Sequence, residues 1–565
     1  MTPGTERLAT AGKLREDGEA WWHRATGYQI YPRSFADSND DGIGDLPGII
    51  AHLDHLSDLG IGFLWLSPVY ASPMVDNGYD ISDYRDIAQE FGTLEDMDRL
   101  IAEARQRDIG IVMDLVVNHT SSLHDWFRAA RTSRAAPEHD YYIWRDPAPD
   151  GGPPDDACAA FGGSAWSFAR EVGRYYFHYF SPAQPDLNWK NPALRAEIYD
   201  MMRWWIARGI AGFRMDVISL IGKDVDARIY EEGPDLHDHL QEMHREVLAG
   251  RDLLTVGESW SVSPETGLLY CGRDRGELDM VFEFSHIREG WHPEDGKFAP
   301  APFDLVAFKR AVFAWQILTQ DDGWHALFLS NHDLPRQVSF YTNDGAHRRP
   351  AARMLATVMH LLKGTPFVYQ GEEIGMTNAR FDRIDQYRDL ETLNHFEEQI
   401  ARGVAPETFI AGANRNSRDN SRTPMQWTAG PNGGFTNGTP WIEVNPNCAE
   451  INVAQDRADP ESVSAHYRKL IALRREHAII AFGRTEPLLE DDPRIFAYRR
   501  LLGSQALVVV GNFADETCDV ELPKAVCGAG TCLIASHAPR PHLETSMTLA
   551  PYESFAVLLE GVQPE

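Results

Sequence analysis

Three carboxylates in this chain sit at the ends of short apolar runs: Asp216 in GFRMDVI, Glu258 in VGES and Asp333 in LSNHD. A fourth polar cluster, DLVVNHT, spans Asp114 to Thr120. Cleaving an acetal through an oxocarbenium-like transition state needs one carboxylate to attack and one carboxylic acid to protonate the leaving oxygen. Where configuration is retained, the two carboxyls lie roughly 5–5.5 Å apart. Arg214 precedes Asp216 by two residues, so on a strand both point to one face, and its cation favours an ionised Asp216 nucleophile. Glu258 must instead hold a proton at neutral pH, which requires a raised pKa. A lone Asp at a strand end is ordinarily a loop cap or a surface charge. Four such clusters in succession point to a shared site.

Strands that could aim these groups at one mouth are legible as apolar runs. They begin at Gly27 (GYQIY), Phe63 (FLWL), Ile109 (IGIVMDLVV), Gly212 (GFRMDVI), Leu253 (LLTVGE), Met280 (MVFEF), Ala326 (ALFLSNHD) and Thr365 (TPFVYQG). Helix-like segments such as LEDMDRLIAEARQR and ALRAEIYDMMRWWIARG separate most of them. Eight alternating β and α units predict an α/β fold, a closed (β/α)8 TIM barrel with polar residues at strand C-termini forming the site. The barrel is read over residues 21–119 and 191–484, after a polar N-terminal arm at 1–20. Two intervals exceed a simple βα loop: 120–190, read as an inserted B domain after strand 3, and about 374–460, an insertion after strand 8. From 485 to 565 the chain turns to short alternating strands without helices (FAYRR, ALVVVGNF, CDVELP, FAVLLE), predicting a C-terminal antiparallel β-sandwich.

The 565 residues are too many for one core. Lys and Arg number 53 against 84 Asp and Glu, a formal charge of -31. That excess repels phosphate backbones and anionic lipid, so neither nucleic acid nor membrane is expected as a partner, while a neutral sugar is unaffected. Six scattered cysteines with no CxxC pair read as reduced thiols. With no secretory segment and no run of 18 apolar residues, a cytoplasmic location is expected. The oligomeric state is left open.

The four clusters resemble the four signature regions of the α-amylase superfamily, glycoside hydrolase family 13. QIYPRSF, DNGYDISDY, FGGSAW, QPDLNW, GTPFVYQGEEIGM and SRDNSRTPMQW extend the resemblance over nearly the whole chain, which looks especially like oligo-1,6-glucosidases and dextran glucosidases. The resemblance implies a catalytic barrel with a B domain and a C-terminal β domain. It implies Asp216 as nucleophile, Glu258 as acid/base and Asp333 as transition-state stabiliser. By the same resemblance His119 and His332 hydrogen-bond the glucose, and Arg214 orients the nucleophile. Asp76 and Arg418 clamp the O4 end, favouring exo attack; Tyr79 stacks on the ring and Phe161 lines the wall. Aromatic platforms with polar rims suit a pyranose, which has apolar faces and a polar edge.

In DSNDDGIGD, Asp37, Asn39 and Asp41 alternate, followed by Ile43 and Asp45. Side-chain oxygens at positions 1, 3, 5 and 9 and a carbonyl at 7 suit a structural Ca²⁺ ion. Gly48 stands where an EF-hand has glutamate, so the loop is only EF-like. An acidic turn without an ion is the alternative. DLHDHLQEMH, from Asp235 to His244, reads as a solvated helix face and not a metal site.

Val217 follows the nucleophile directly. In the resembling family, valine there accompanies α-1,6 preference and alanine α-1,4; a branched side chain narrows the entrance for the leaving sugar, although strand packing would also explain it. Glu391 in YRDLETLN carries over as a leaving-sugar contact, and GESW places Trp260 beside the acid/base. The expected activity is retaining exo-hydrolysis of α-1,6-glucosidic bonds in short α-glucosides, without an organic cofactor. An α-1,4-glucosidase, a transglucosylase or sucrose isomerase, and a non-catalytic transporter-associated relative are the alternatives.

Overall fold

The computed structural model describes residues 19–288, 290–292 and 296–562. The arm expected over residues 1–20 therefore lies almost wholly outside the described residues.

Eight strands form one sheet: β1 (Gly27–Ile30), β2 (Phe63–Leu66), β3 (Gly110–Leu115), β4 (Gly212–Met215), β5 (Leu254–Glu258), β6 (Met280–Phe282), β7 (Ala326–Leu327) and β8 (Thr365–Tyr369). They pair in the order β6-β5-β4-β3-β2-β1-β8-β7, and every pairing is parallel. Among the described residues no ladder joins β6 to β7. Rings close that seam, with Phe282 and Phe328 5.0 Å apart. β1, β2, β4, β5 and β8 are buried along their whole length, as expected of parallel strands covered on both faces. The interior is packed: Phe63 and Phe367 meet at 5.3 Å. A Cβ at Gly27 would lie 2.5 Å from the Phe63 ring, so only glycine fits beneath that contact.

The helix Leu94–Gln106 starts at Thr93, whose side chain accepts from the Asp96 amide while Asp96 bonds back. Such a cap stabilises by roughly 1 kcal/mol. The helix Pro192–Arg208 is capped by Asn191 and stopped by Gly209 at φ 95°, a conformation glycine adopts without a Cβ clash.

Within the segment after β3, Trp144–Arg145, Trp166–Ala169 and Arg174–Phe177 make their own three-stranded sheet. After β8 come the helices Leu390–Ala401 and Pro406–Asn416. Arg484–Leu488, Ile495–Leu502, Gln505–Asn512, Ser554–Glu560 and Thr531–Ala535 then pair antiparallel in that order. This C-terminal unit has a separate core including Ile495, Val508, Val510 and Phe555. It is fastened to the barrel by Lys309, whose Nζ donates to the carbonyls of Leu489, Asp492 and Ile495 at 2.6, 2.7 and 2.9 Å. All six cysteines are free. No described helix is long and apolar enough to cross a membrane.

Candidate active site

Asp216 lies one residue beyond β4, Glu258 ends β5, and Arg214 lies within β4. The parallel register sets Arg214 opposite Asp114 of β3 on one side and Val256 of β5 on the other. Its guanidinium consequently reaches three carboxyls: Nη1 donates to Asp216 Oδ1 and to Asp114 Oδ1, both at 2.8 Å, and Nη2 lies 2.8 Å from Glu258 Oε2. The Val217 amide donates to the same Glu258 oxygen at 3.0 Å, and Trp260 Nε1 donates to Oε1 at 3.2 Å.

One cation shared among three buried acids changes their protonation. Burial pushes Glu258 above the ordinary glutamate range, Arg214 pulls it down and Asp333 adds to the rise. This is the direction an acid catalyst requires. Burial also pushes Asp216 well above the usual carboxylate range, opposed by Arg214 and reinforced by Glu258 and Asp114. The pull of Arg214 is in the direction expected from the sequence, favouring ionised Asp216. Arg214 thus pulls each of the three carboxyls toward its ionised form while burial pushes each the other way.

Asp333 behaves oppositely. Burial pushes it up, but His332, Arg418 and Arg422 together hold it well below the ordinary carboxylate range. Arg422 Nη2 donates to Asp333 Oδ1 at 2.8 Å and Arg418 Nη1 at 3.1 Å. Arg418 also contacts Asp389 at 2.6 Å and faces Asp76 at 3.9 Å. Asp389 went unassigned in the sequence reading; it caps the helix Leu390–Ala401 by accepting from the Thr392 amide.

Burial lowers His119 to about 4 and His332 to about 3, keeping both neutral near pH 7. Nδ1 of His332 meets Gln29 Nε2 at 2.7 Å and its Nε2 meets the Tyr79 hydroxyl at 2.6 Å. The Tyr79 ring lies parallel to it, 5.4 Å away. Asn118 Nδ2 meets His119 Nδ1 at 3.0 Å. Behind it Lys223 Nζ reaches Asn118 Oδ1 at 2.5 Å and Asp186 at 2.9 Å, a buried pair absent from the sequence reading.

These groups surround a cavity of about 260 Å³. Asp76, Tyr79, His119, Phe161, Asp216, Val217, Glu258, Asp333 and Arg418 all line it. Arg214 and His332 are buried beneath these residues, at 1% and 0% exposure. Unforeseen wall residues include Tyr179, Phe180, Glu231, Trp291 and Lys297. Trp260 stacks on Phe284 at 3.7 Å, and Glu391 pairs with Lys297 at 2.7 Å.

The loop expected to hold a cation lies apart from this cavity. Asp37 Oδ2 accepts from the Gly42 amide at 2.7 Å, Asn39 Oδ1 from Asp41 at 2.9 Å, and Asp41 Oδ1 from Ile43 at 2.8 Å. Asp45 faces the helix Leu46–Ala51, accepting from the Gly48 amide at 2.6 Å and the Ser38 hydroxyl at 2.8 Å. Among the described residues no three Asp, Glu, His or Cys side chains converge as metal ligands. Nor is the segment from Asp235 to His244 fully solvated: His239 is buried and His237 bonds Glu277 at 2.8 Å.

Known proteins match this chain closely. The model of the alpha-amylase catalytic domain matches residues 29–483. A palatinase of Erwinia rhapontici is 52% identical over 543 residues, covering 95% of this chain and 98% of that protein. An oligo-1,6-glucosidase of Halalkalibacterium halodurans is 50% identical over 551 residues, covering 94% and 98%. Among solved structures, isomaltulose synthase from Erwinia rhapontici NX5 superposes with a TM-score of 0.93 at 40% identity, over 96% of this chain and 99% of that one. The family match spans most of the barrel and these relatives span nearly the whole chain: it belongs to the alpha-amylase family and is a glycoside hydrolase.

Proposed function

We propose that the protein is a retaining, exo-acting α-glucosidase hydrolysing α-1,6-glucosidic bonds at the non-reducing end of isomalto-oligosaccharides or similar short α-glucosides. The carrying observation is Arg214, whose one guanidinium bonds Asp216 and Glu258 at 2.8 Å each. It fixes the two carboxyls on opposite arms of a single planar group. Asp216 attacks the anomeric carbon while Glu258 gives its proton to the leaving oxygen; the emptied Glu258 then takes a proton from water, which frees glucose from Asp216. Asp333, kept ionised by Arg418 and Arg422, stabilises the positive charge that develops on the sugar. Arg418 and Asp76 close the far end of the cavity, which suits a terminal glucose. The α-1,6 preference is supported by Val217 in the cavity wall and by the oligo-1,6-glucosidase relative.

A timed product profile on isomaltose, panose, maltose and sucrose tests the reading. Isomaltose and panose are expected to be cleaved fastest, with α-glucose appearing first by proton NMR. First-formed β-glucose, or maltose as the best substrate, overturns it. Conversion of sucrose to an isomer would favour the isomerase alternative, which the isomaltulose synthase likeness keeps relevant.

A Ca²⁺ ion at Asp37, Asn39, Asp41, the Ile43 carbonyl and Asp45 forms part of this proposal. It rests on the all-oxygen donor set and on the Gly42 amide bonded to Asp37 across a tight turn. Both oxygens of Asp45 already accept from Ser38 and Gly48, and both of Asp37 from the amides of Asn39, Asp40 and Gly42.

A further inference from the structure

Glu231 is a carboxylate in the cavity wall that the reaction above does not use. Its Oε2 is shielded from solvent and has no hydrogen-bond partner. A shielded, unpartnered carboxylate oxygen is unfavourable in a folded protein unless something else bonds it.

The local backbone holds it there. Glu232, the next residue, adopts φ 49°, a left-handed conformation unfavourable for a residue with a Cβ. Three contacts enforce that turn. The Glu232 amide donates to the Ser219 carbonyl at 3.1 Å, and its carboxylate accepts from the Thr266 and Tyr270 hydroxyls at 3.2 Å each. Gly233 packs so tightly on the nucleophile loop that a Cβ would lie 2.0 Å from the Gly222 carbonyl. With the following two residues held by these contacts, Glu231 stands in the cavity wall, which also includes Ser219 and Leu220.

Its surroundings suit a leaving sugar better than an ion. Tyr179, another wall residue, feels its charge, and Tyr179 and Tyr230 lie 5.6 Å apart. Trp291, also in the wall, carries a shielded indole N–H without a partner. Among the described residues the cavity wall therefore presents an unmet acceptor at Glu231 and an unmet donor at Trp291 in addition to the catalytic carboxyls. A neutral polyhydroxylated ring offers hydroxyls that satisfy both.

We propose that Glu231 is a specificity determinant that accepts hydroxyl hydrogen bonds from the neutral leaving sugar, an assignment that rests on the glucosidase reading. A leaving group without hydroxyls gains nothing from it. The test compares kcat/KM for isomaltose with that for p-nitrophenyl α-glucoside in the parent, Glu231→Gln and Glu231→Ala. The isomaltose-to-aryl ratio is expected to fall about 10–100-fold in Glu231→Ala, mainly through KM, and less in Glu231→Gln, whose amide oxygen still accepts. Equal losses on both substrates would assign Glu231 a structural role, and an unmoved ratio would remove it from the subsite; either overturns the proposal. If the parent itself cleaves maltose and not isomaltose, the α-1,6 reading fails, and the same ratio taken with maltose still decides Glu231.

Discussion

The backbone amide of Val217 donates to Glu258 Oε2 at 3.0 Å, so the residue beside the nucleophile also holds the acid/base. Val217 does so at φ 36° and ψ 44°, where a β-branched residue is disfavoured. Its side chain lines the cavity, while its amide is fixed by the partner it serves.

Substitution at Val217 should therefore change selectivity more than catalysis. Val217→Ala removes two methyl groups from the entrance but keeps the amide. The kcat/KM ratio of maltose to isomaltose is expected to rise about 10–200-fold, with isomaltose turnover falling modestly. An unchanged ratio would mean that Val217 does not discriminate linkages.

Asp216→Asn and Glu258→Gln should each lower kcat by roughly 10⁴-fold or more, and the double variant little further, because the groups act as a unit. Azide should partly restore Glu258→Ala on a substrate with a good leaving group. Rescue of Asp216→Ala instead, yielding β-glucosyl azide, would exchange the two roles.

Asp76 gives a pH signature. Burial raises its carboxyl to about 7, against the pull of Arg418 and Arg422 and with Asp80 adding to the rise. As an ionised acceptor it binds sugar hydroxyls best, so KM for isomaltose should climb as pH falls below about 7. Stability runs the other way. The folded state binds this proton more tightly than the unfolded chain, so Asp76's contribution is fullest at low pH and is lost as pH rises from 3.8 through about 7. Asp76→Asn should flatten the KM profile and weaken binding chiefly above about pH 7, where the parent is ionised; a profile that keeps its acid limb in the variant assigns that limb elsewhere.

Lys223→Ala leaves Asp186 buried without its cation, while Asp186 still accepts from the Tyr179 amide at 2.8 Å. Breaking such a pair costs about 3–5 kcal/mol. A lower Tm is expected together with a higher KM, since Asn118 would lose the contact behind His119. An unaltered Tm would show that the pair contributes no net stability.

Thorough chelation should lower Tm, by mass action on a bound ion, more than it lowers the initial rate at low temperature. The loop touches none of the catalytic carboxyls, so a large rate loss with a constant Tm would contradict a structural cation.

Much of the architecture could be read directly. All eight barrel strands lie within runs that are apolar because parallel strands are covered on both faces, and Asp216, Glu258 and Asp333 lie at or just beyond the ends of such runs. What escaped depends on contacts between distant segments. Asp114 was visible in DLVVNHT, yet its sharing of Arg214 needs the register of β3 against β4. That sharing also brings in the burial and the neighbouring carboxylates that oppose the pull of Arg214 on Asp216. Asp389 had a signal, an Asp three residues before Thr392 at a helix start, but its ion pair with Arg418 spans another loop. Glu231 and the strained turn at Glu232 carry no sequence signature, because the anchoring partners Ser219, Thr266 and Tyr270 come from three separate stretches.

The Arg418–Asp76 contact at the far end of the cavity also dictates traffic. On the proposed exo-acting reading, the departing sugar lies on the path by which water arrives, and the glucose bound beside Arg418 and Asp76 is the last to go. Release is thus ordered, and free glucose competes with incoming substrate for the same vacancy. Any sugar lingering at the doorway stands where water would otherwise enter, so the choice between hydrolysis and transfer becomes a matter of residence time at the exit.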